Sequence, residues 1–261
     1  MMRATLALAK REMIRFFRQP HRVIGSLAQP LLIWAFLGAG FTASFRAPGM
    51  THVSYVEYFF PGVLLMLMLF SGIFSTITII EDRSQGLLQG VLASPAPRMA
   101  IVLGKVGGGM AIALIQTIPL LATAPFLGIA LSWGGVCWIL WGFFISCLGF
   151  TALGFLIAWN MESTAGYHAV MSVFLMPLWM LSGALFPLEQ APMWLWSLMT
   201  INPVTHALTL IRTPLYQLPM DFLASREYWQ AVTIGVCWAG GCLWLALWRV
   251  ERVERGVPPL P

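Results

Sequence analysis

Residues 59–105 read FFPGVLLMLMLFSGIFSTITIIEDRSQGLLQGVLASPAPRMAIVLGK. The first 22 residues, 59–80, hold no charge; Glu81, Asp82 and Arg83 then follow in succession. A helix needs about 20 apolar residues to cross the hydrocarbon layer of a bilayer. The stretch therefore reads as a membrane span that ends abruptly at a polar border. After the border comes a short Leu-rich piece, stopped by Pro95 and Pro97.

The same test applied outward finds six spans, at about 23–45, 59–80, 106–131, 136–159, 166–186 and 230–248. Composition agrees: 59% of the 261 residues are apolar and 10% charged, against roughly 25% charged in soluble domains. The expected fold is an all-α polytopic membrane protein with six transmembrane helices. An N-terminal amphipathic interfacial helix over 1–22 precedes them, and short re-entrant helices on the outer side precede the sixth span.

Basic residues set the expected orientation. With the N-terminus inside, Arg3, Lys10, Arg11, Arg15, Arg18, Arg22, Arg83, Arg98, Lys105, Arg249, Arg252 and Arg255 lie on the inner side, leaving Arg46, Arg212 and Arg226 outside. Twelve against three follows the positive-inside rule, so both termini and the 81–105 segment are expected in the cytoplasm. The formal charge of +5 is then a matter of topology and anionic headgroups, with no call for nucleic acid. Residues 1–22 lack the uninterrupted apolar core of a cleavable signal peptide.

Arg11, Arg15, Arg18 and Arg22 recur on one helical stripe, with Leu6, Ala9, Met13, Phe16 and Phe17 opposite. Such a helix is expected to lie in the inner interface as an anchor, arginines to lipid headgroups. Trp133, Trp194, Trp196 and Trp229 at the outer border, and Trp159 and Trp248 at the inner one, suit aromatic belts. In the outer stretch 187–229, prolines cut an apolar sequence into pieces too short to span and too apolar for water. Short interfacial or re-entrant helices satisfy both constraints.

Several chemistries find no residues. Spans three and four contain no Asp, Glu, Arg or His, and Lys105 reads as standing at the inner mouth of the third. Ion-coupled carriers need intramembrane charges, which are costly and kept only for function. His168, near the inner end of span five, is expected to be a neutral imidazole bonded to a carbonyl. Cys137, Cys147, Cys237 and Cys242 match no zinc or redox spacing. Residues 103–109, LGKVGGG, are not a phosphate loop: Met99 stands where the first glycine belongs, and Val106 where Ser or Thr would ligand magnesium. Gly104 and Gly108 instead make a small-x-x-x-small helix contact. No catalytic or metal site is expected, and no cofactor bound by the chain itself.

The 81–97 segment remains. Leu87, Leu88, Val91 and Leu92 share one helical face about two turns long. Glu81 and Asp82 precede it, where acids suit the positive end of a helix dipole. Such a helix can dock in a groove of a partner or lie on lipid, and the residues leave both open.

Here the chain resembles the ABC type-2 transporter permeases. That family has an acidic–basic pair, a glycine, a Leu-rich turn, Ser/Thr-Pro, an arginine and Leu-Gly-Lys. This sequence has Asp82-Arg83, Gly86, Leu88, Leu92, Ser94-Pro95, Arg98 and Leu103-Gly104-Lys105, with Leu87 and Gln89 where Thr and Glu are usual. After the fifth span, Ser182-Gly183, Pro187, Pro192 and Asn202-Pro203 through Arg212 are similar to the family's outer pattern.

The resemblance implies that 23–261 is a six-helix type-2 transmembrane domain with a cytoplasmic coupling helix at about 81–97, in the bacterial inner membrane. It implies an exporter permease that moves an amphipathic, lipid-linked or hydrophobic substrate. ATP and Mg are handled by a separate ABC ATPase subunit, and the other partners are a second copy or a related permease and membrane lipids. Asp82, Arg83, Gly86, Leu87, Leu88, Val91, Leu92, Pro95 and Arg98 are the implied ATPase-coupling residues. A stand-alone carrier and a non-transporting assembly factor are the competing readings.

Overall fold

Long apolar runs without a turn signal satisfy their backbone groups only as helices in a membrane, and helices are what the computed structural model contains. It describes residues 1–41, 54–87, 90 and 97–254, with no strand among them. In chain order the helices are α1 (Met2–Phe17), α2 (Pro20–Phe41), α3 (Tyr55–Ser75), α4 (Thr78–Ser84), α5 (Met99–Leu121) and α6 (Trp133–Trp159). They continue with α7 (Thr164–Trp179), α8 (Met193–Ile201), α9 (Pro203–Tyr216), α10 (Pro219–Leu223) and α11 (Arg226–Glu254).

Six stretches are long and apolar enough to cross a membrane: Pro20–Phe41, Tyr55–Ser84, Met99–Leu121, Trp133–Trp159, Thr164–Ala184 and Arg226–Arg252. All six expected spans are thus present. Ser54, Ser132 and Ser163 each accept a hydrogen bond from the backbone N–H three residues on, capping α3, α6 and α7.

The third span is displaced from its expected place. The apolar count put it at 106–131, whereas α5 runs Met99–Leu121 and a 3-10 turn, Ala124–Leu127, follows. Lys105 accounts for the difference. Read as the mouth of the span, it lies inside the helix with its side chain 3% exposed, because two carboxylates neutralise it there.

The core is α3. Its sequence is apolar all round, as a fully enclosed helix must be, and Phe59, Phe60, Val63, Leu64, Leu65 and Met66 are completely buried. It packs against α2, α5 and α6. Lipid tails are as apolar as the helices, so hydrogen bonds and close packing hold such a bundle. Trp179 Nε1 donates to Gly62 O at 2.8 Å, and Gln116 Nε2 to Ser71 Oγ at 2.9 Å. Ser26 Oγ in turn donates to Gln116 Oε1 at 2.9 Å, linking α2, α5 and α3.

By contrast, α2 and α7 are little covered, with Leu32, Phe36, Val173 and Phe174 all exposed. Trp133, Trp194, Trp196, Trp229 and Trp248 are exposed too, but Trp159 is buried, stacked on Phe155 at 5.5 Å.

α1 lies along α5. The Gly104 and Gly108 face is its seat: a Cβ on Gly104 would come within 2.6 Å of Leu8 Cβ, and one on Gly108 within 2.9 Å of Glu12 Cβ. The small-residue contact read from the sequence therefore exists, and its partner is the N-terminal helix.

Candidate functional site

The charges that end the span at 59–80 do not leave the bundle. α3 breaks at Thr76, whose Oγ1 donates to Ile73 O at 2.7 Å and lies 2.9 Å from the Tyr167 hydroxyl. The chain then resumes as α4, TIIEDRS. A helical spacing of four puts Thr78 and Asp82 on one face, and both meet Lys105: Nζ donates to Thr78 Oγ1 at 3.1 Å and to Asp82 Oδ2 at 2.5 Å.

Around this contact three carboxylates and four cations interlock. Asp82 Oδ1 accepts from Arg11 at 2.7 Å and from Arg15 at 2.8 Å. Glu81 accepts from Arg15 at 2.7 Å and also from Arg22. Lys105 Nζ reaches Glu12 Oε1 at 2.8 Å. The innermost members, Glu12, Asp82 and Lys105, have side chains 3% exposed or less. Buried charges at this density persist only when paired, and each bond joins two different elements. The cluster fastens α1, α2, α4 and α5 into one unit.

This changes the assignment of the arginine stripe. Arg11, Arg15 and Arg22 were expected to point at headgroups; they point at Glu81 and Asp82, and Arg18 remains exposed. The two acids likewise occupy the last turn of α4, where they were expected to open the following helix.

Arg83 turns the other way. It donates to Trp159 O at 2.7 Å and Met161 O at 3.1 Å, and its guanidinium sits 5.5 Å from the Trp159 ring centre. It caps the carbonyls that α6 leaves open at its end. Gly86 has φ +72°, a left-handed turn that glycine adopts without strain, and Leu87 beyond it is exposed. Arg98 is the N-cap residue of α5, with Nη1 buried and unbonded among the described residues. Leu88, Val91, Leu92 and Pro95 lie outside the described residues.

The outer-pattern residues form a second cluster, at the broken end of α7. Met180–Ala184 is a π-turn containing Gly183 at φ +84°. Its freed carbonyls are taken up by α9 and its cap: Asn202 Nδ2 donates to Leu178 O at 2.6 Å, Thr205 Oγ1 to Leu181 O at 3.3 Å, and Arg212 Nη1 to Gly183 O at 2.9 Å. The Arg212 guanidinium stacks over the Tyr58 ring at 4.4 Å, and Tyr58 Oη also donates to Gly183 O, at 3.1 Å. Asn202 caps α9, with Pro203 in its first turn; Pro192 precedes α8, and Pro187 a 3-10 turn. His168 makes no hydrogen bond among the described residues, and its ring rests 4.9 Å from that of Phe74.

Sequence reasoning left Glu12, Tyr58 and Lys105 out of the site. Two of them carried a signal. Glu12 is the sole acid in residues 1–22, and Lys105 the sole charge in residues 99–121. An isolated charge in such surroundings implies a partner.

The ABC-2 type transporter family model matches residues 3–216. A transport permease, ycf38, of Cyanophora paradoxa is 29% identical over 225 residues, covering 85% of this chain and 74% of that protein. Nodulation protein J of Sinorhizobium fredii is 25% identical, over 76% of this chain and 75% of its own. The daunorubicin resistance ABC transporter permease protein DrrB1 of Streptomyces coeruleorubidus is 25% identical, over 80% of this chain and 74% of its own. With six membrane-spanning helices and a family match over most of its length, the chain belongs to the ABC-2 type transporter family and is an integral membrane permease.

Proposed function

We propose that the chain is the permease half of an ATP-driven exporter, moved by a separate ABC ATPase that supplies the ATP and Mg site. The ATPase grips the 81–97 segment from the cytosol. The carrying observation is the acid–base cluster at the root of that segment: Asp82 is tied at once to α1 through Arg11 and Arg15, and to α5 through Lys105. Displacement of the segment is thereby delivered to α1 and α5 together. Arg83 extends the linkage to the end of α6.

Two copies, or one copy and a related permease, complete the membrane unit. The little-covered α2 and α7 supply a surface for the second copy. Residues 1–22 face the cytosolic interface with anionic lipid near Arg18, and α8 to α10 sit at the outer surface of a bacterial inner membrane. The cargo is amphipathic, hydrophobic or lipid-linked and leaves the cell. One relative is named for resistance to a drug, and Asp82, the acid buried within the spans among the described residues, is held in ion pairs.

Co-expression with a P-loop ATPase of the same genome tests this reading. A stable two-plus-two complex that hydrolyses ATP is expected, and Leu88→Asp with Leu92→Asp should abolish both association and stimulation. Undiminished association of the double variant, or transport in liposomes without ATP, overturns it.

A further inference from the structure

Between α2, α3 and α7, beside the acid–base cluster, lies a cavity of ≈ 420 Å³. That is within the range of about 300–1,000 Å³ usual for small-ligand sites. Its wall carries His21 and Gln29 from α2 and His168 and Ser172 from α7. The side chains of these four are exposed and make no hydrogen bond among the described residues. His168, Ser172 and Met176 recur every four residues, so α7 turns one continuous face to the space.

Polar side chains in a membrane span face protein, water or a ligand, because lipid offers them no partner. Here the fold has not satisfied them. It has paired the charges: Glu12, on the same wall, forms an ion pair with Lys105, and Arg22 one with Glu81. Beside these pairs the cavity offers amide, hydroxyl and imidazole donors and acceptors. Phe70, Phe74 and Met176 are among the residues that add apolar surface to the lining.

We infer that this cavity binds an amphiphile with an uncharged, hydroxyl-bearing head, the head against Gln29, Ser172 and His168 and the tail along Phe70 and Met176. A phosphate or ammonium head would have to compete with the ion pairs that Arg22 and Glu12 make to Glu81 and Lys105, and would give up its hydration to do so. The inference rests on the exporter reading in treating the occupant as cargo.

The full chain in lipid nanodiscs, labelled with a photoreactive decyl glucoside, provides the test. Saturable labelling of residues 21–30 and 168–176 is expected, competed by decyl glucoside and not by decyl phosphate, decyltrimethylammonium or free glucose. Gln29→Leu with Ser172→Ala should weaken competition about tenfold, the loss of two neutral hydrogen bonds, while Gln29→Asn alone retains most of it. Competition indifferent to the head, or better by the phosphate, overturns the assignment, as does a double variant that binds like the parent. ATP turnover of the two-plus-two complex is read separately. Head-selective binding without stimulated turnover supports the site and removes the transport reading. Stimulated turnover without head selectivity does the reverse.

Discussion

Lys105 Nζ and Asp82 Oδ2 meet at 2.5 Å, with their side chains 3% and 2% exposed. The contact ties the last turn of α4 to the body of α5. Because Lys105 also holds Glu12, removing it leaves two buried carboxylates short of a cation.

Lys105→Met is therefore expected to destabilise the permease by about 3–5 kcal/mol, the usual effect of breaking a buried ion pair from one side. Thermal unfolding in nanodiscs measures it. Adding Glu12→Gln should restore part of the loss. A single variant that melts like the parent would show that the cluster is not holding these helices.

Arg83 acts on a different partner. Arg83→Ala should raise amide hydrogen exchange at the end of α6, around Trp159 to Met161, by about tenfold or more, since a charge-assisted bond contributes about 1.5–3 kcal/mol. Exchange near Lys105 should not change. Uniform acceleration along the chain would point to global loosening and contradict the local cap.

The seat of α1 can be probed by size alone. Gly104→Leu forces a side chain against Leu8 and should cost about 1–3 kcal/mol in overpacking. Limited trypsin digestion should then cut after the exposed Lys10 faster than in the parent. An unchanged digestion rate would mean that α1 accommodates the larger residue without leaving α5.

At the far end, Arg212→Met removes the donor that Gly183 O accepts from α9, together with the stacking on Tyr58. Ser182→Cys, introduced alongside it, should become open to a water-soluble maleimide from which the buried Ser182 position is otherwise shielded. Arg212→Lys retains the charge without the planar stack and should give an intermediate rate. Equal labelling in all three backgrounds would remove Arg212 from the closure of this turn.

Which of these features could be read from the sequence depends on how far apart the partners stand. The spans are local: 20 apolar residues declare a membrane helix by themselves, and all six appear. Their borders depend on what neutralises a charge. Lys105 reads as a mouth because Asp82 and Glu12 are distant in sequence, and the expected third span starts too late accordingly. The arginine stripe illustrates the same limit. Periodicity gives its face correctly and says nothing of whether lipid or Glu81 and Asp82 will meet it. In the outer cluster, Asn202, Gly183 and Arg212 were picked out by pattern; that they close one broken helix end emerges only when α9 is laid against α7. Tyr58, inside an apolar run, gave no signal at all.

The enclosure of α3 on every side by its own chain has a bearing on genetics. Substitutions between Phe59 and Leu69 cannot touch solvent, a second copy or a transported molecule without first disturbing the folded monomer. A selection scored on transport alone would rank these positions among the most important in the transporter. It would in fact be measuring how much protein reaches the membrane intact.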